Sequence, residues 1–451
     1  MFDFSHDEFF FEHELTQNKE LALPFDLTSM AGDSIALDKL VEQVFHQTHL
    51  SALITVKGTK TRTNAETRLR VGLRSLLWHL HQATMIAPHC YLRLSLRAQA
   101  FSVPPSQNPH VITRNIPQIV DRLQQTGLIT CHKGFLDRSS GHSRMTRIRA
   151  TNTLMSRLIE LPRDLRECDF ERPTVEFRPS NKQSRAPIPP VDNACVQQTH
   201  DLLTFYNRTL SDTQITIDGL DQRLFVNRDK VINLNRKRLT AIYHVTDDGH
   251  LTYGRLHGAF WQSIPRVIRA HLLINGCSTI GYDYSAQALH IIAALEGTSI
   301  YGDGYDIDLN INGLDKSIQR EFIKTFIVIC LNSTDMSQAF AGIRQKLNKD
   351  RRMKNSSLRL TNDVLKHVSD KILSHHPFLN DYWIKGLGKD IFYQDALLAR
   401  DILRTSLSEQ MVVLPIHDGF ITDSHHDTRL YQILTECWHD RFRTAIKIKR
   451  E

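Results

Sequence analysis

Four short blocks in the second half of the chain carry residues able to do chemistry together. Tyr282-Asp283-Tyr284-Ser285 places a carboxylate at the end of an alternating run of β-branched and aromatic residues, 278–284, just before AQALHIIAAL. The run reads as a strand and the segment after it as a helix stopped by Gly297. A carboxylate where a strand ends is a common place for a divalent metal. Leu414-Pro415-Ile416-His417-Asp418-Gly419 reads as a hairpin turning at Asp418-Gly419, a favoured pair for tight turns. It would hold Asp418 at the tip with His417 beside it. Arg320 and Lys324 stand four apart on a helix that Asp315 can cap, so they share a face. Ile318, Phe322, Phe326 and Ile329 form a contrasting apolar stripe. Two cations with few acids beside them suit a triphosphate. A fourth block joins Tyr253-Gly254-Arg255-Leu256 to Trp261-Gln262-Ser263-Ile264-Pro265 and Arg269. Taken singly, each has a plainer reading: a strand-end cap, a turn, a solvated basic face.

The order of the blocks resembles the motif order of family A DNA polymerases, shared in part by bacteriophage-type single-subunit RNA polymerases, over residues 250–425. Asp283-Tyr284-Ser285 is similar to motif A, Arg320 and Lys324 to motif B, and His417-Asp418 to motif C. Gln394, in IFYQDALLARDIL, is similar to a family glutamine that meets the primer-template. The resemblance implies an α+β right-hand polymerase fold, with an antiparallel palm sheet and helical fingers and thumb. It implies that Asp283 and Asp418 hold two Mg²⁺ ions, or Mn²⁺, for nucleotidyl transfer. Lys324 and Arg320 would grip the incoming nucleoside triphosphate, with Tyr284, Ala288, Asn332 and His417 also on the substrate. Arg255, Gln262, Arg269 and Gln394 would meet the DNA template-primer. The sequence departs from the family at Ala288, where the DNA polymerases have Glu, at Asn332, where they have an aromatic residue, and at Gly419, where many have Glu. Loss of the first two opens the space beside the sugar's 2′ position, so tolerance of ribonucleotides, and a DNA polymerase or primase-like role, are expected.

These blocks sit in a chain of 451 residues, 41% hydrophobic, with a net charge of +7. No apolar run is long enough to cross a membrane. The charge is unevenly spread: residues 1–50 carry ten acids and two bases, whereas Lys57–Arg149 holds fifteen bases and three acids. A block that basic is the usual footprint of a phosphate-binding surface. Within it, Asn115 and Pro117 can open a helix bearing Ile116, Ile119, Val120 and Leu123, and Gly127 can end it. Two alternating segments follow, around the polar loop 137–143. Helix, turn and basic hairpin resemble a winged helix, with Arg138, Arg144, Arg147 and Arg149 along nucleic-acid phosphates. Five prolines within 171–193 predict an extended linker. The expected division is therefore an acidic segment 1–55, a winged-helix-like domain 56–170, a linker 171–195 and a compact polymerase domain 196–451. Seven scattered cysteines without a CxxC pair fit a reducing cytoplasm rather than disulfides or a zinc site. The alternative readings are a non-enzymatic DNA-binding replication initiator or regulator with a degenerate polymerase fold, and a metal-dependent nuclease using Asp283 and Asp418.

Overall fold

The computed structural model of the chain describes residues 21–451 except 28, 55–58, 104–107, 109, 137–142, 163–164, 166–172, 181–192, 220–223, 228–229, 235, 310, 312–315 and 348–358. At 59–63, 136, 143, 224–227, 230–231, 233 and 316–317 it describes the backbone alone. Arg138, Asp315 and most of the proline-rich segment therefore lie outside the described residues. The fold is mixed α and β, in two compact units: Met1–Pro173 with Gln222–Asn235, and Thr174–Asp221 with Arg236–Glu451.

The first unit contains the helix Ile116–Gln125 and, after Gly127 at φ 67°, the antiparallel pair Ile129–His132 and Thr146–Ala150. All four predicted apolar positions of that helix are buried. Asn115 makes no side-chain capping bond; Pro117 in the first turn supplies the start. Gly72, on the long helix Thr59–Ile86, lets this helix come close, since a Cβ there would lie 3.0 Å from Ile119 Cδ1. The tip of the hairpin, Phe135–Leu136 with Ser143–Arg144, pairs on its own, whereas its base is part of a larger sheet. Thr146–Ala150 also pairs with Tyr91–Leu94, which runs parallel to Ala22–Pro24, and the sheet continues through Lys230–Asn233 to Leu224–Asn227. Leu21, Leu23, Leu37, Val41 and Phe45 of the segment expected to stand apart are buried in the core of this unit. Its acids pair with the basic helix: Glu42 with Arg70 at 2.7 Å and Asp38 with Arg74 at 3.2 Å. Local patterning shows the helix and hairpin, but not which distant strands extend their sheet.

The second unit has two sheets. Val175–Pro179, drawn from the expected linker, is instead an edge strand parallel to Thr240–Val245, which pairs antiparallel with Leu251–His257. Pro179 is tolerated there because an edge strand has one side without a ladder. The larger sheet is antiparallel throughout, in the order Leu414–Ile416, Gly419–Asp423, Cys277–Tyr284, Leu272–Ile274, Ile215–Ile217. Ile448–Arg450 also lies along Cys277–Tyr284. The helix Asp427–Phe442 buries Leu430, Ile433, Leu434 and Trp438, and the helix Gly388–Ser408 buries ten residues including Asp395 and Arg400. The Tyr206 hydroxyl donates to the Val413 carbonyl at 2.5 Å and the Trp261 indole to Pro415 at 3.3 Å. Both bonds fix the strand that leads to His417.

Candidate active site

Cys277–Tyr284 has neighbours on both sides near its end. Asp283 stands opposite Gly419 on one side and Lys449 on the other. Side chains alternate along a strand, so Asp283 faces a cavity while Tyr282 and Tyr284 face the other way. Tyr284 is 1% exposed and its hydroxyl donates to the Leu434 carbonyl at 2.6 Å. It borders the cavity but its polar atom serves the core, not a substrate. The facing hairpin pairs Ile416 with Gly419, so its two-residue loop is His417-Asp418 rather than Asp418-Gly419. His417 takes the left-handed conformation at φ 56°, which costs a non-glycine residue about 1–2 kcal/mol. That shift by one residue carries Asp418 to Asp283: its carbonyl accepts the Tyr284 N–H at 3.2 Å. A Cβ on Gly419 would sit 3.6 Å from Asp283 Oδ1. Ala286, at φ 52°, turns the chain from the strand into the helix Gln287–Leu295.

The electrostatics follow from this crowding. Burial, then the Asp418 and Glu451 carboxylates, push Asp283 up to about 7 against the pull of Lys324 and Arg266. Asp395, buried in the helix Gly388–Ser408, is pushed up to about 6 by burial; Arg255 opposes this and Asp418 adds to it. Burial, then Arg255, hold His417 below its ordinary range. Asp283 and Asp418 have no ion-pair partner among the described residues, so the site holds two hard, mutually repelling oxygen ligands. A cation relieves that repulsion. No group of three His, Cys, Asp or Glu residues able to cage a metal occurs among the described residues. Magnesium does not require one, because it is usually held by one or two carboxylates together with water and substrate phosphate oxygens.

The cavity around the two aspartates has a volume of about 470 Å³. The helix Lys316–Leu331 lines it with Arg320, Lys324 and Val328, one stripe at four-residue spacing. Arg320 is not free, as the sequence suggested: it grips Asp303 through two bonds, at 2.6 and 3.2 Å. Ala288 borders the cavity and leaves room where the helix begins. Arg255 reaches Asp395 at 2.6 Å with its guanidinium 4.0 Å from the centre of the Phe392 ring.

No protein-family model and no curated protein matches the chain. Among solved structures, it is similar to the "POL domain of Pol1 from M. smegmatis complex with DNA primer-template and dNTP", at 12% identity and a TM-score of 0.31. That match covers 47% of this chain and 47% of the other, so the chain spans about half the length of that structure.

Of the residues singled out in the sequence, Asp283, Asp418, His417, Lys324, Arg320, Arg255, Ala288 and Tyr284 border one cavity. Others do not. Gln262 spends its amide on the loop around it, donating to Leu256 and Pro415 carbonyls and accepting from the Gly258 N–H. Arg269 is half-buried and donates to the Ile264 carbonyl; of the two arginines on this short helix it is Arg266 that lines the cavity. Asn332 lies beyond the helix end, donates to the Val328 carbonyl and packs on Gly388. Gln394 stays outside the lining, whereas its neighbour Asp395 enters it. In the other unit Arg147 is 8% exposed, so it is enclosed in its sheet rather than displayed. Arg144 and Arg149 lie over the rings of Phe135 and Tyr91. The sequence reading missed Asp303, Asp395, Arg266 and the strand Ile448–Arg450. Only Asp395 lay inside a segment already singled out.

Proposed function

We propose that the chain is a template-directed nucleotidyltransferase that extends nucleic acid from nucleoside triphosphates. One observation carries this reading: Asp283, near the end of its strand, and Asp418, in the turn before the neighbouring strand and 135 positions away, meet in a cavity that Lys324 also lines. A strand end, a hairpin tip and a helix stripe have no packing reason to bring into one hollow two carboxylates and an ammonium that are unpaired among the described residues. The arrangement suits a right-hand polymerase, with the antiparallel sheet as palm and Lys316–Leu331 in the fingers.

The donor set fits Mg²⁺ or Mn²⁺: two hard carboxylates, neither in an ion pair among the described residues. Held by Asp283 and Asp418, such ions would lower the pKa of an attacking 3′-hydroxyl and stabilise charge at the α-phosphate. The protein's own residues do the rest. Asp283 and Asp418 fix where that charge is compensated, Lys324 holds the trailing phosphates, and Ala288 leaves space beside the sugar, so ribonucleotides are accepted alongside deoxyribonucleotides. The Arg255–Asp395 pair stiffens the wall next to Asp418. The basic unit, with Arg144 and Arg149, binds the phosphate backbone of DNA in the manner of a winged helix.

The test is incubation with primed and unprimed DNA, Mg²⁺ and labelled deoxyribo- or ribonucleoside triphosphates. Calorimetry of Mg²⁺ binding in the absence of nucleotide runs in parallel. Extension with metal binding that needs both aspartates supports the reading. Shortened template identifies a nuclease, and DNA binding without either reaction identifies a non-enzymatic DNA-binding protein.

A further inference from the structure

The charges around the cavity are not equivalent. Each arginine in its wall already has a carboxylate. Arg255 has Asp395 at 2.6 Å, Arg266 has Glu451 at 3.4 Å, Arg320 has Asp303 at 2.6 Å, and Arg450 has Asp427 at 2.7 Å. Lys324 and Lys449 remain: both are exposed, and neither side chain makes an ion pair or hydrogen bond among the described residues.

Lys449 is placed there by backbone pairing. Ile448–Arg450 runs antiparallel to the end of Cys277–Tyr284, with Asp283 directly opposite Lys449 and Tyr284 opposite Ile448. The Ser285 N–H donates to the Lys447 carbonyl and the Glu451 N–H to the Gly281 carbonyl, each near 2.9 or 2.8 Å, so both ends of the pairing are fixed. Directly opposed residues share a face of the sheet; Lys449 therefore stands on the cavity side, next to Asp283. Its charge is also felt at Asp303, the partner of Arg320. It thus lines the cavity beside Asp283, within electrostatic reach of the carboxylate that braces the helix bearing Lys324.

We infer that Lys449 is a phosphate-binding residue which, with Lys324, clamps the non-reacting phosphates of the triphosphate. This rests on the reading of the cavity as a nucleotidyltransferase site. A substrate whose reacting phosphate lies at Asp283 and Asp418 extends its remaining phosphates toward the two unpaired ammonium groups. The paired arginines would have to give up a carboxylate first. An ammonium is a compact point charge with rotatable donors, suited to a polyphosphate that shifts during reaction. Arg320, braced by Asp303, then positions the helix wall instead of serving as the main phosphate ligand.

The experiment uses the full chain, with Lys449→Gln and Lys449→Arg. Calorimetry with inorganic tripolyphosphate and Mg²⁺ reads phosphate binding without catalysis. Steady-state insertion of dTTP and UTP opposite a template dA reads KM and kcat, and primer-template affinity is measured alongside. The expected result is that Lys449→Gln weakens tripolyphosphate binding and raises the triphosphate KM about tenfold or more, the loss of one charge-assisted hydrogen bond. Primer-template affinity stays within a factor of two, and Lys449→Arg recovers most of the loss. Unchanged tripolyphosphate affinity and KM in Lys449→Gln overturn the inference. So does an equal loss of primer-template affinity, which would make Lys449 a backbone contact. If wild type inserts neither nucleotide yet loses tripolyphosphate binding on Lys449→Gln, the phosphate assignment stands and the polymerase reading fails.

Discussion

Arg255 Nε donates to Asp395 Oδ2 at 2.6 Å, with the aspartate side chain only 4% exposed and the arginine side chain 19%. The bond ties Leu251–His257 to the helix Gly388–Ser408 beside Asp418. The strand is shaped for it: Tyr253 and Gly254 both take positive φ, at 73° and 69°, where the pairing with Thr240–Val245 slips register. A Cβ on Gly254 would come within 3.2 Å of the Tyr243 ring, so only glycine lets the bulge sit this close.

Removing one member of such a pair leaves an uncompensated buried charge. Arg255→Met is expected to lose about 3–5 kcal/mol of unfolding free energy in urea at pH 8. Adding Asp395→Leu should recover most of it. Because burial pushes Asp395 up to about 6, the single variant should be less impaired at pH 5, where the carboxyl takes up a proton, than at pH 8. Equal destabilisation at both pH values would show that Asp395 carries no buried charge.

Asp283 makes a linkage prediction. Its native value of about 7 lies above the ordinary 3.8, so the folded state holds a proton that the unfolded state has released. Stability from this source is present below pH 4 and is lost as pH rises through about 7. The metal-free protein should be less stable at pH 8 than at pH 5.5, and Asp283→Asn should flatten that dependence. At pH 6.5, Mg²⁺ binding should expel protons, read by calorimetry in two buffers of different ionisation enthalpy. A buffer-independent heat would rule out the raised value.

The proposed tolerance of ribonucleotides rests on Ala288, which lines the cavity. An apolar pocket with spare room rejects an added hydroxyl poorly. Wild type should therefore use ribonucleotides and deoxyribonucleotides with comparable efficiency, and Ala288→Glu should shift the ratio toward deoxyribonucleotides. A wild-type preference for deoxyribonucleotides of roughly 10³-fold, about 4 kcal/mol, would mean another residue guards the sugar. Val328, which borders the same cavity, is the first to examine.

In the basic unit, the buried Arg147 and the half-exposed Arg149 should part company. Arg149→Ala should lower duplex-DNA affinity and reduce the salt slope by about 0.9, one released counterion, with stability little changed. Arg147→Ala should lower the melting temperature. An Arg149→Ala protein with an unaltered salt slope would remove that side chain from the interface.

What the sequence disclosed was what is local. Alternation marked Cys277–Tyr284, helical spacing put Arg320 and Lys324 on one face, and the apolar stripe marked Ile116–Gln125. The turn came out one residue early, because the Asp-Gly preference assumes that the left-handed position falls on a permissive residue and here it falls on His417. Arg320 looked unpaired because Asp303 lies in an irregular segment 17 positions away. Lys449 was invisible, since no periodicity in AIKIKRE reports that it pairs with a strand more than 160 residues earlier. For the same reason the helix and hairpin in the basic block gave no sign that strands from either end of the unit, 22–24 and 224–233, extend their sheet.

The central claim is that Asp283 and Asp418 together form the centre of nucleotide transfer. The most direct measurement is the single-turnover rate of nucleotide insertion on a primed template in Mg²⁺, for wild type, Asp283→Ala and Asp418→Ala, each checked for native folding by circular dichroism. Each substitution should reduce the rate at least ~10²-fold, the usual consequence of losing a preorganised charge site. Insertion by both folded variants at more than about a hundredth of the wild-type rate would contradict the assignment.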